Sequence, residues 1–217
     1  MFTKKFGLAV MALLAFFCSG FVSESYVNKA IASSQENSIE KEAESKVKEI
    51  YPEFIKIVKN GANESEITAF AERNMDTVAI SKRFCGAKND KLIKTIIKFL
   101  IWRLKTEAIQ TVTDYSLGDG MKSISKGKKV SVKCMLKKQA TDPVEMIVTF
   151  SKNGDKLGKI VELVVVSIPL IEGARTPIKK YFEGKGIKIN TIKDPAKRAQ
   201  LSCDALEDFI KNHARSK

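Results

Sequence analysis

One histidine in 217 residues, His213, stands near the C-terminus, where a chain end frays and nucleophile–base pairs are hard to hold. Any Ser-His-Asp or Cys-His arrangement would depend on it, so that class of covalent catalysis has no footing here. Cysteine is almost as sparse, with Cys18, Cys85, Cys134 and Cys203 making up the full set. Setting Cys18 aside with the leader described below leaves an odd number, which cannot close a disulfide framework. No spacing among the cysteines resembles a metal site either. One disulfide plus a free thiol stays open, beside the reading of Cys134 as a small buried hydrophobe on the apolar side of a strand. Two glycine pairs, Gly118-Asp119-Gly120 and Gly184-Lys185-Gly186, lack the third glycine and the strand-to-helix setting of a dinucleotide loop, so turns explain both. There is no internal repeat, no second-domain boundary and no nucleic-acid recognition motif. Catalytic residues, metal ligands and cofactors are therefore all expected to be none. Asp114 and Asp119 keep an isomerase-like enzyme open as a lesser alternative.

What the chain does carry begins with a leader. Lys4 and Lys5 precede the uncharged run from Phe6 to Val22, the charged and apolar regions of a cleavable signal peptide over residues 1–25. Small residues permit cleavage after Gly20 or Ser25, while Phe16 and Phe17 argue against lipidation at Cys18. The apolar run is short of the ~20 residues that span a bilayer, so removal is favoured over an uncleaved anchor. Roughly 190 residues remain, enough for one well-buried domain. Residues 26–42 read as a flexible leader and 43–213 as that single domain. The formal charge of +13 falls only by one when the leader goes, and such an excess draws anionic partners. In an exported protein these are phospholipid head groups or an acidic protein face, not nucleic acid.

Helical spacing of Val47, Ile50, Tyr51, Phe54, Ile57 and Val58 marks a first helix from Ala43 to Asn60, with Pro52 tolerable where a helix begins or kinks. Asn63, with Glu66 three residues on, caps a second helix, and Asp76 to Arg83 form a short third. From Asp90, read as the N-cap, to about Thr113 runs a helix whose apolar residues, Phe99 and Trp102 among them, cover most of its circumference. Only Lys91, Lys94, Lys98 and Lys105 make a solvated stripe. Such a helix must be covered on several sides, which places it centrally against a sheet.

The period then changes to two. Val130, Val132, Cys134 and Leu136 alternate with Ser131, Lys133, Met135 and Lys137, and Val144, Met146, Val148 and Phe150 repeat the pattern. Asn153-Gly154 is a strong hairpin signal. As the turn it sets residue 150 opposite 157, 148 opposite 159, 146 opposite 161 and 144 opposite 163. Leu157, Val161, Leu163 and Val165 then face inward, with Lys159 an exception that a bulge at Gly158 would remove. A shorter strand near Tyr115 to Ile124 joins through Lys126-Gly127-Lys128. A helix near Pro177 to Glu183 and a last one opened by Asp194-Pro195 complete the chain. The fold class is α+β: an antiparallel sheet of about four strands packed against several helices. Periodicity does not separate an ordinary core between them from an apolar pocket.

Residues 71–84 (Ala-Glu-Arg-Asn-Met-Asp-Thr-Val-Ala-Ile-Ser-Lys-Arg-Phe), the strand 160–167 (Ile-Val-Glu-Leu-Val-Val-Val-Ser) and the stretch from Arg175 through Phe182 to Gly186, taken in order, resemble the MlaC family of periplasmic phospholipid-binding proteins, the toluene-tolerance auxiliary family. The likeness covers about residues 40 to 210. Glu162 and Val166 depart from it, standing where the family often has Asp and Gly. The resemblance implies an apolar cavity between sheet and helices that takes phospholipid tails, with no enzymatic step. It also implies a periplasmic shuttle between outer and inner membranes whose partners are an inner-membrane ABC-type lipid transporter and an outer-membrane lipoprotein complex. The side chains that would line the cavity are Phe99, Trp102, Val132, Cys134, Met146, Val148, Phe150, Val161, Leu163 and Val165. An exported binding or adaptor module for another ligand is the alternative.

Overall fold

The computed structural model describes residues 24–106 and 113–214. The signal-peptide reading as far as residue 23, with Cys18, falls outside these, as does the stretch 107–112 over which the sequence suggests that the long helix continues. Contacts divide the chain at Ser38, and the unit from Ile39 onward carries the fold. In chain order its elements are α1 (Glu24–Lys59, whose first turns belong to the preceding unit), α2 (Glu64–Asn74), α3 (Thr77–Cys85), α4 (Asp90–Thr106), β1 (Ser116–Leu117), β2 (Lys122–Lys126), β3 (Lys129–Lys137), β4 (Val144–Asn153), β5 (Lys156–Val165), β6 (Ile168–Pro169), α5 (Arg175–Gly184) and α6 (Pro195–Ala214). Among the described residues the class is α+β with an open antiparallel sheet, as the sequence implies.

Local chemistry sets the helix ends. The Asn63 side chain accepts from the Ser65 N–H, and that of Asp76 accepts from the Ala79 N–H, each satisfying an otherwise orphaned donor. At α4 the cap is Asn89, not Asp90, because its Oδ1 accepts from Leu92 N at 2.9 Å. Gly86, with φ of 88°, ends α3 in the left-handed conformation that costs a glycine nothing. The first helix differs from its expected bounds: it begins at Glu24 rather than Ala43, so the stretch read as a flexible leader is helical, and Ile39 and Ala43 are both buried. Pro52 lies inside this helix without ending it. Both Pro52 and Lys48 are exposed, so the carbonyl that loses its donor stands on the solvent side.

The sheet order is β1-β3-β4-β5-β6, with β2 sharing the β3 edge with β1. The β3–β4 pairing sets Val130 opposite Phe150, Val132 opposite Val148 and Cys134 opposite Met146, and all six are buried. The next hairpin corrects the expected register. Its loop is Gly154-Asp155, with Asn153 paired to Lys156, and only Gly154 takes positive φ, the pattern of a type II′ turn. Two bulges then move the pairing further. Gly158 and Lys159 lie across from Ser151, as a bulge at Gly158 implies, and Ile160 and Val161 share the place across from Phe150. Val148 therefore faces Leu163 rather than residue 159, and Met146 faces Val165 rather than 161. Two bulges restore the two-residue period, so Leu163 and Val165 still point inward.

Candidate ligand-binding site

The inner face of the sheet meets α1, α2 and α4 along an apolar seam that holds two small voids. The larger, of about 20 Å³, is lined by residues that include Ile57, Ile67 and Met75, by Leu100 and Leu104 of α4, and by Leu170 and Ile171 after β6. The second, of about 10 Å³, is bounded by Val47, Ile50 and Tyr51 of α1 and by Met146 and Val148 of the sheet. Phe54, Phe70, Ile160 and Leu163 line both. The Phe54 and Phe70 rings, 6.0 Å apart and tilted by 47°, are the two aromatic members of this shared wall, with Ile160 and Leu163 completing it. A void this size holds about one water molecule, whereas ligand pockets run to ~300 Å³ and above.

One wall of the larger void is the segment that follows β5, and polar contacts hold it from outside. Val166 and Ser167 turn the chain with φ of 52° and 61°, a conformation that a β-branched residue such as valine adopts only under strain. The Glu162 carboxylate accepts from the N–H groups of Ile171 at 3.0 Å and Glu172 at 2.8 Å, and Oε1 also accepts from Leu163 N. Arg83 and Arg175 both pair with Glu172, and Arg83 also donates to the Val161 carbonyl at 2.7 Å. From α4, Arg103 donates to the Pro169 carbonyl at 2.6 Å. Burial pushes the Glu162 carboxyl above the ordinary range, the three N–H donors oppose this, and the neighbouring Glu172 charge adds to the rise.

Of the residues assigned to a lipid cavity from sequence, Met146, Val148 and Leu163 line the seam. Val132, Cys134, Phe150 and Val165 are buried in the core without reaching a void. Val161 is buried too, but in the bulge Ile160 takes the inward place beside Met75. Phe99 and Trp102 point the other way along α4. Their rings are 5.9 Å apart, and both pack on Phe209 of α6. The residues that sequence reasoning missed, Phe54, Phe70, Leu100 and Leu104, were marked as apolar helix faces at most. Nothing in a one-dimensional pattern says which helix meets the sheet.

The other chemistry-bearing groups lie away from the seam or are sealed. Burial, with a smaller contribution from the Glu44 charge, pushes the Cys134 thiol up to about 12. Burial, followed by Cys134, pushes the Tyr51 phenol up to about 12 as well, while its hydroxyl donates to the Tyr115 carbonyl at 2.8 Å. Cys85, Cys134 and Cys203 are free thiols and all three are buried, which settles the disulfide alternative among the described residues. Asp114 pairs with Lys138 at the surface and Asp119 is exposed, so neither carboxylate faces the seam. Among the described residues no cluster of His, Cys, Asp and Glu is placed to hold a metal ion, and no helix is long and apolar enough to cross a membrane. No protein-family model and no curated protein matches the chain.

Proposed function

We propose that the protein is an exported phospholipid carrier, working without covalent chemistry between the outer and inner membranes of a double-membraned bacterium. Partners of the kind the family resemblance implies, an outer-membrane lipoprotein complex and an inner-membrane ABC-type transporter, would each exchange lipid with it. The observation that carries this reading is the seam with its shared wall: two voids lined wholly by apolar side chains and sharing Phe54 and Phe70. In the closed state the space suits no lipid. Loading then requires the two rings to swing aside and α1 and α2 to part from the sheet, merging the voids into one channel. Each acyl methylene buried there contributes ~0.8 kcal/mol, so escape into water is slow and handover takes place by docking to a membrane complex.

The narrowness of the voids favours a second reading, an exported adaptor module with an ordinary core. Incubation with liposomes that contain a fluorescent diacyl phospholipid, followed by separation, distinguishes the two. A carrier takes up probe and Phe70→Ala, which removes one ring of the shared wall, takes it up faster. An adaptor emerges without probe in both forms.

A further inference from the structure

The face of the sheet turned away from the seam carries a pattern that neither the core nor cargo binding uses. Lys122 and Lys126 of β2 and Lys129, Lys133 and Lys137 of β3 all project from it, and every one is exposed. The strand register sets Lys122 directly opposite Lys133 and Lys126 directly opposite Lys129. Like charges so placed repel across the pair. Only Lys133 is relieved, by Glu145 on the neighbouring strand. Lys122, Lys126, Lys129 and Lys137 meet no carboxylate among the described residues. Between Lys122 and Lys126 stands Ile124, 66% exposed and the most exposed large apolar side chain described. Its cross-strand neighbours are Ser131 and then Thr149, too small to shelter it.

We infer that this face docks on anionic phospholipid bilayers. A cationic sheet face with an exposed apolar residue between two lysines of its edge strand matches a surface whose head groups are negative and whose interior, just beneath them, accepts an aliphatic side chain. An anionic surface over the opposed lysines relieves their repulsion, and Ile124 gains burial that the folded chain denies it. The same face also carries Met135, Ile147 and Val164, half-buried beside the lysines, so apolar and cationic groups stand together on it; an acidic protein face would satisfy the lysines but leaves the exposed Ile124 without an apolar partner. The inference does not depend on the carrier reading, because the seam lies on the other side of the sheet.

The test is flotation of the purified protein with large vesicles, either pure phosphatidylcholine or containing about a third phosphatidylglycerol. One variant carries Lys122→Gln, Lys126→Gln and Lys129→Gln. A matched variant carries Lys94→Gln, Lys98→Gln and Lys105→Gln, losing the same charge from the exposed stripe of α4. A third carries Ile124→Ser. The expected result is that wild type binds the anionic vesicles, the sheet variant binds them at least tenfold more weakly, and the α4 variant stays within about twofold. Ile124→Ser should lose several-fold, a loss that persists at high salt. Three results would overturn the inference: no binding of wild type to anionic vesicles, an equal loss in both triple variants, or equal binding to neutral vesicles. Bound-lipid content, measured on the same samples, should be the same in wild type and sheet variant.

Discussion

A Cβ placed on Gly173 would lie 1.6 Å from Nη1 of Arg103, so any other residue there has to displace the guanidinium. That arginine donates to the Pro169 carbonyl and fastens the segment walling the larger void to α4. Gly173→Ala should displace it and cost about 1 to 2 kcal/mol, the range for a hydrogen bond to a charged group. Because both changes break the contact with Pro169, while Arg103 also lies over the Phe99 ring, the loss in the double variant should be smaller than the sum of the two single losses. Denaturant unfolding of the two single variants and the double variant measures this, and fully additive losses would contradict it.

Val148 is 2% exposed and faces Leu163 beside the smaller void. A carboxylate there has no route to water, so Val148→Asp should cost several kcal/mol and leave little folded protein. Thr149→Asp on the outer face should also destabilise, because position 149 pairs with Glu162, whose charge burial already disfavours, and Thr149 shares a hydrogen bond with Ser131. Lys94→Asp on the exposed stripe of α4 should change stability by no more than about 0.5 kcal/mol. Thermal unfolding of all three orders them.

Glu162 ties stability to pH. Its folded-state pKa is raised, chiefly by burial, so its contribution is fully present below the unfolded pKa and is lost as pH rises through the raised value. Glu162→Gln removes the titration. The stability of wild type relative to this variant should therefore fall as pH rises from the ordinary carboxylate range. An advantage of wild type that grows over that range would show the three N–H donors outweighing burial.

Val166 and Ser167 make a tight turn of the kind usually built from Asn and Gly, with Val166 both left-handed and exposed. Val166→Asn relieves a conformation costing about 1 to 2 kcal/mol and should raise the thermal midpoint. No rise, or a fall, would mean that the valine side chain makes up for its strain.

Where one signal decided an element, the sequence was enough. The alternation through Val130, Val132, Cys134 and Leu136 fixed both the strand and its inward face, and Asn63 marked a helix start by its own side chain. The β5 register was less legible, since Asn153-Gly154 and Gly154-Asp155 both suit a two-residue turn. The bulge at Gly158 left a glycine as its trace, but the one at Ile160 and Val161 left none, because two adjacent apolar residues look alike whichever is inside. The seam was harder still. A helix apolar on most sides, as α4 is, cannot say that Leu100 and Leu104 meet the void while Phe99 and Trp102 meet Phe209.

The central claim is that the seam holds lipid, and solvent extraction of the gently purified mature protein, followed by mass spectrometry, tests it most directly. The account predicts close to one diacyl phospholipid per chain. Protein that emerges free of lipid and takes none up from liposomes would contradict it.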